Sequence, residues 1–293
     1  MTVALLSMDI EDWYHTTYLT GVSRNDGPSM LDGVSRFAAL LEEQDVSGTF
    51  FVLSDLADEL APVLRSLSDA GHEIACHGDD HSLPNRQTDQ VFRQRLYRAR
   101  LKLEDVVGVP VIGYRAPCFA IDEHKLESLA DMGFLYDASW INFRGHPLYG
   151  QMRLDGWAEV SPGVRQAPDG RLIEVEVSTF GWRGQRLPIA GGGAFRIVPW
   201  QVTRHWLRSY LSRRQLYSFY IHPFECSGLP QRHLTVRAGY LARARFGIGR
   251  MQVPKRIREL IRLLKSSGYG FSTHRDVAAA ARTARAPVTQ ERS

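Results

Sequence analysis

The sequence predicts an α/β protein, a distorted barrel of about seven strand–helix units. Three observations carry this. Short apolar runs of β type alternate with amphipathic helical patterns, which argues for a parallel sheet. No GxGxxG follows the first strand, so the best argument for a doubly wound dinucleotide-binding sheet is missing. The residues that carry chemistry gather just after predicted strands, where parallel barrels build their active sites.

The elements follow in order. Val3 to Met8 is compact and apolar, as a buried strand requires. Leu31 to Gln44 has helical spacing, Gly48 to Leu53 reads as a second strand, and Leu56 to Ala70 as a helix stopped by Gly71. Glu73 to Cys76 is the third strand. Thr88 to Val107 is a long amphipathic helix, with Thr88 placed to cap its start and Gly108 past its end. Val111 to Tyr114 predicts a strand and Asp122 to Met132 a helix. Later strands fall at Leu172 to Val177, Leu216 to Ile221 and Gly270 to Ser272, with helices at Trp200 to Ser212 and Pro254 to Ser267. The insert from Asn142 to Gln185, rich in Gly, Pro, Trp and Arg, reads as loops and short strands over a barrel mouth. One folded domain is expected over 1–276, with 277–293 a flexible basic tail.

The 293 residues suffice for one large domain and do not demand two. No apolar run approaches the roughly 20 residues of a membrane-spanning helix. The N-terminus lacks a basic leader and runs straight into Asp9, Glu11 and Asp12, which predicts a cytoplasmic protein. Cys76, Cys118 and Cys226 are odd in number and widely spaced, which fits no disulfide framework. Net charge is +4, and basic residues concentrate from Arg232 through Arg237, Arg243, Arg245, Arg250, Lys255, Arg256, Arg258 and Arg262 to Lys265. That stretch reads as a solvated helix face, or as a surface for an anionic partner such as a phosphate-bearing glycolipid or a membrane. Nucleic acid is not expected, because no recognition motif accompanies the charge.

Three strand ends carry the chemistry. Asp9-Ile10-Glu11-Asp12 crowds three carboxylates into four positions, which is costly unless a cation or proton compensates. His77-Gly78-Asp79-Asp80-His81 places two histidines at i and i+4, on one face if the segment is helical. Two histidines and one carboxylate form a facial metal set that leaves positions open for water and substrate. His72 reads instead as a structural strand residue. Tyr220-Ile221-His222 sets a histidine at a late strand end, facing the metal or hydrogen-bonded in the core. Arg115, at another strand end, is placed to hold a carboxylate ionised and oriented. Trp13, Tyr14, Trp140, Trp157 and Trp182 are candidate sugar-stacking rings near the mouth. Gly191-Gly192-Gly193 with Arg196 reads as a tight turn or a phosphate cradle.

These motifs, in this order, resemble the polysaccharide deacetylases of the NodB-homology type, carbohydrate esterase family four. The resemblance rests on Asp-Ile-Glu-Asp-Trp-Tyr-His (9–15), Gly-His-Glu-Ile-Ala-Cys-His-Gly (71–78), Tyr-Arg-Ala-Pro-Cys-Phe (114–119), Tyr-Asp-Ala-Ser (136–139), Gly-Gly-Gly-Ala-Phe-Arg (191–196) and Tyr-Ile-His-Pro-Phe-Glu (220–225). They look like the cytoplasmic subgroup of bacterial exopolysaccharide and surface-glycan clusters. The resemblance implies a metal-dependent hydrolase that removes N-acetyl groups from amino sugars. It makes Asp9 the base, His222 the general acid, Arg115 the residue that orients the base, and His77 and His81 metal ligands. Asp12 is the favoured metal carboxylate, with Glu11 its rival, since the family's adjacent aspartates are interrupted here. Glu174 is the candidate for a late acid that tunes His222, with Asp137 the alternative. Cys118 replaces the usual aromatic after Arg-x-Pro, and its backbone N–H is the expected oxyanion donor. Zn2+ is the expected ion, with Co2+ or Ni2+ as alternatives. The expected partner is an N-acetylated glycan, or a lipid- or nucleotide-linked sugar. The rival readings are a deformylase or other amide hydrolase on a lipid-linked sugar, and a non-catalytic glycan-binding relative.

Overall fold

The computed structural model describes residues 2–283 apart from positions 18, 20, 144–145, 147, 150–151, 183, 231–243 and 245. Arg232, Arg237, Arg243 and Arg245 of the basic stretch lie outside the described residues, as does the tail beyond 283.

Seven parallel strands form the frame. They run in the order β11 (Leu216–Ile221), β1 (Val3–Ile10), β2 (Thr49–Val52), β3 (Glu73–Cys76), β4 (Gly113–Tyr114), β5 (Tyr136–Asp137) and β8 (Ile173–Val175). The antiparallel strands β7 (Val164–Gln166) and β6 (Ala158–Ser161) extend the sheet from β8. The far edges of the ladder meet where the Ser178 N–H donates to the Ser218 carbonyl, 3.3 Å away. β12 (Gly270–Ser272) pairs with the first half of β1, and β2 pairs with the second half. A separate hairpin joins β9 (Thr179–Trp182) to β10 (Gln185–Pro188). The fold class is therefore the one the sequence predicts, a parallel α/β frame of about seven units.

Alternation along the strands separates two apolar regions. Ala4, Leu6, Met8 and Ile10 of β1 point outward and pack with Phe37 and Leu41 of α1 (Asp32–Glu43) and Leu60 and Leu64 of α2 (Ala57–Asp69). Leu5, Phe51, Ala75, Tyr136, Ile173 and Leu216 point inward and fill the barrel. α3 (Asp89–Val107) begins at its expected cap, with Thr88 Oγ1 accepting from the Val91 N–H, and ends at Gly108 in the left-handed conformation. Asp122 caps α4 (Glu123–Asp131) in the same way. α5 (Gly192–Ile197), α6 (Trp200–Leu211), α7 (Pro223–Cys226) and α8 (Val253–Ser266) follow.

The domain end differs from expectation. Residues 277–283, assigned to the tail, belong to α9 (His274–Thr283). Ala278 and Ala281 of this helix join the inward apolar cluster and close one end of the barrel. Small residues at i and i+3 give this short helix a buried face despite its basic flank.

Candidate active site

β1 runs two residues past its expected end, so Ser7 and Asp9 project inward, and Glu11, just past the strand, also lines the pocket. Arg115 reaches them from the end of β4 and is fully buried. Its Nη1 donates to Ser7 Oγ and to Asp9 Oδ1, each at 2.7 Å, and its Nε donates to the Ala138 carbonyl at 3.0 Å. The guanidinium carbon lies 4.0 Å from the centroid of the Phe51 ring. A buried arginine held at this many points is a fixed cation, and it orients the Asp9 carboxylate.

Glu11, His77 and His81 come together, with one ligand atom from each within 4.8 Å of the others. Asp12 does not join them. It caps the 3-10 turn Trp13–His15, and its Oδ1 accepts from the Trp13 N–H at 2.7 Å and the Met30 N–H at 2.9 Å. The geometry departs from the expectation of Asp12 as the metal carboxylate: β1 ends at Ile10, Glu11 follows it into the pocket as the chain turns, and the Asp12 carboxylate is taken up in capping the next turn. The two histidines are not on a helix either. His77 follows β3, and the chain turns through Gly78 (φ 98°) and His81 (φ 65°). Ser54 and Arg95 brace this turn through Asp79, and Arg95 also pairs with Asp80.

The donor set suits a divalent cation. His77 Nδ1 lies 2.8 Å from the Arg115 carbonyl, which can only accept, so Nδ1 carries the proton and Nε2 keeps its lone pair. Burial pushes the His77 imidazole down to about 4, so it stays neutral. Glu11 Oε2 sits 2.5 Å from His81 Nε2. Burial alone would raise the Glu11 carboxyl; His81 first and then His222 outweigh it and hold the group well below its ordinary value.

His222 stands on the other side of Glu11, with Nε2 3.5 Å from Glu11 Oε1. Glu225 Oε2 accepts from the His222 backbone N–H at 3.0 Å and meets its Nδ1 at 2.9 Å. Arg196 Nε donates to Glu225 Oε1 at 2.5 Å. Burial would lower the His222 imidazole, but the Glu11 and Glu225 carboxylates outweigh it and raise it to about 9. This corrects the expectation for Glu174. Glu174 on β8 lies opposite Asp137 on β5, and its Oε1 accepts from the Trp140 N–H at 2.9 Å. Both alternate with the inward residues Tyr136 and Ile173, so they face away from the barrel interior. The phosphate-cradle reading fails too, because Arg196 is buried and committed to Glu225 and to the Phe246 and Ile248 carbonyls. Gly191 is required by close approach: at its φ of 135° a Cβ would fall 1.7 Å from the Tyr220 carbonyl oxygen.

A pocket holds Asp9, Glu11, His77, His81 and His222 together, walled by Cys118, Phe119, His146, Tyr149, Tyr220 and Phe224. Cys118 and Phe119 both adopt φ 54°, unusual for residues of their size. Burial pushes the Cys118 thiol up to about 12. The expected tryptophans are not in this wall. Trp13 is buried and donates Nε1–H to the Pro28 carbonyl, and Trp140 and Trp157 pack against the outer core. The Trp182 side chain lies outside the described residues. His72 is structural as expected, its Nδ1 accepting from the Gly48 N–H.

Residues 21–136 match the polysaccharide deacetylase family. That match takes in His77, His81 and Arg115. Residues 138–278, which include His222 and Glu225, match a domain of unknown function, DUF3473. A peptidoglycan deacetylase of Helicobacter pylori is 26% identical over 128 residues, 44% of this chain and 43% of that protein. The match thus spans less than half the length of that curated relative. Among solved structures, a Mycobacterium smegmatis protein assigned to the polysaccharide deacetylases has a TM-score of 0.64 at 24% identity, covering 96% of this chain and 91% of that one. A pseudoenzyme of the CE4 family from Bacillus anthracis has a TM-score of 0.54 at 11% identity, covering 95% of this chain and 66% of that one. These likenesses show the fold and support the polysaccharide deacetylase family. The pseudoenzyme shows that this fold does not by itself carry the activity, so function is argued from the site.

Proposed function

We propose that the chain is a metal-dependent hydrolase that removes N-acetyl groups from amino sugars of a bacterial polysaccharide or its precursor. One observation carries the reading: the Glu11–His77–His81 group sits between a carboxylate fixed by an arginine, Asp9–Arg115, and a histidine held by a carboxylate, His222–Glu225.

Glu11, His77 and His81 would hold a divalent cation such as zinc, cobalt or nickel, which supplies Lewis acidity toward water and the acyl carbonyl. Asp9 accepts the proton of the attacking water. Arg115 orients its carboxylate. His222, held by Glu225, donates its proton to the departing amine, which leaves poorly without one. Glu225 fixes the ring so that Nε2 faces the pocket. The Cys118 backbone N–H, on the pocket wall, is assigned to the developing oxyanion. Acetate and a free amino sugar result. The pocket is small and its rings are aromatic, which suits an acylated sugar lying across its mouth.

The test is release of acetate from N-acetylglucosamine oligomers, peptidoglycan fragments and a nucleotide-linked N-acetyl sugar, before and after chelation. Acetate release that chelation abolishes and added zinc restores is expected. Formate release from an N-formyl sugar, with none of acetate, would replace this reading by a deformylase. Binding of oligomers without any hydrolysis would replace it by a glycan-binding protein. No helix among the described residues is long and apolar enough to cross a membrane.

A further inference from the structure

Beneath Arg115 lies a chain of buried polar groups that the reaction above does not use. His274 opens α9 and is fully buried. Its Nε2 is 3.4 Å from Arg115 Nη2 and 3.4 Å from Ser218 Oγ. Its Nδ1 is 3.1 Å from Thr49 Oγ1, which also accepts from the His274 backbone N–H at 3.0 Å. Thr49 Oγ1 in turn donates to Glu73 Oε2 at 2.9 Å, and Tyr136 donates to Glu73 Oε1 at 2.7 Å.

Donor and acceptor counts fix the tautomer. A guanidinium has no acceptor, so a proton on His274 Nε2 would face another donor. Thr49 has one hydroxyl proton and gives it to Glu73, so it must accept from His274 Nδ1–H. His274 is therefore neutral, protonated at Nδ1, with its Nε2 lone pair turned to Arg115. Burial first, and the Arg115 charge second, push its imidazole well below the ordinary value, in agreement with this assignment. The ring is wedged between Phe51 and Tyr136, with centroids at 5.3 and 6.0 Å, so it has no room to turn away.

We propose that His274 is a positioning residue: its Nε2 lone pair holds the outer nitrogen of Arg115, so that the inner nitrogen stays aimed at Ser7 and Asp9. Chain order makes this unexpected, since 159 residues separate the two partners. The last helix therefore does more than plug the barrel end; it completes the support of the base. The inference rests on the deacetylase reading only for its kinetic readout.

The test uses the full chain loaded with zinc. His274→Leu should lower kcat roughly ten- to hundredfold, the cost of a misplaced reacting group, with KM and zinc content unchanged. His274→Gln, which keeps an acceptor, should recover part of that loss. Ala281→Gly, in the same helix but remote from Arg115, should lower thermal stability and leave kcat alone. Wild-type kcat in His274→Leu, or an equal loss in Ala281→Gly at equal folded fraction, overturns the proposal. If His274→Leu does not fold, Thr49→Val decides: a fall in kcat at constant KM supports the proposal and no change overturns it. If the wild type hydrolyses no substrate, the functional reading fails, and the positioning is read from the Arg115 side-chain 15N signals. His274→Leu or Thr49→Val should broaden them; unchanged signals overturn the proposal.

Discussion

Glu225 grips His222 at two points, its Oε2 meeting both the ring Nδ1 at 2.9 Å and the backbone N–H at 3.0 Å. A single carboxylate thus sets the orientation of the group assigned to protonate the leaving amine, and adds to Glu11 in raising its imidazole. Replacing it by an amide keeps the shape and removes the charge. Glu225→Gln should lower kcat about a hundredfold, the lower range for loss of general acid catalysis, while zinc content holds. Steady-state kinetics beside elemental analysis checks this. An unchanged kcat would remove Glu225 from the role.

Asp9 lies within the pocket but outside the three-residue donor group. Asp9→Asn should therefore keep the metal and lose turnover by about a thousandfold or more. Acetate release by the purified variant is the measurement, and full activity would take the base role away from Asp9.

Asp137 and Glu174 face each other on β5 and β8, both fully buried. Burial raises the Asp137 carboxyl, and burial with the Asp137 charge raises Glu174 well above its ordinary value. The folded chain therefore keeps a proton that the unfolded chain releases. That contribution to stability is complete below the ordinary carboxylate range and is lost as pH rises toward the raised values. Glu174→Gln removes the linked proton. Its stability relative to wild type should improve with rising pH above about 4.5, by up to about 1.4 kcal/mol per unit. Urea unfolding at pH 5 and pH 8 measures the slope, and parallel curves for the two proteins would contradict the shared-proton account.

The frame was legible because its long strands are buried on both sides and read as unbroken apolar runs, as at Val3 to Met8 and Leu216 to Ile221. β5 has two residues, and the β6–β7 and β9–β10 hairpins are partly exposed, so neither periodicity nor composition marks them. The choice between Glu11 and Asp12 turned on where β1 stops, since a shift of one residue reverses the face. The Glu225 signal was present: Pro223 followed by Glu225, three residues past His222, is a helix-start pattern in which the acid folds back on the cap residue. The Glu174–Asp137 pair and the His274–Arg115 contact depend on strand neighbours and chain ends that only the assembled barrel brings together.

The proposed metal site takes Glu11, and not Asp12, as its carboxylate. Elemental analysis of purified wild type, Glu11→Gln and Asp12→Asn, each dialysed against zinc and then against buffer, tests it most directly. The site predicts about one ion per chain in wild type and in Asp12→Asn, and loss in Glu11→Gln. Loss in Asp12→Asn with retention in Glu11→Gln, or no ion in wild type after zinc, cobalt or nickel, would contradict it.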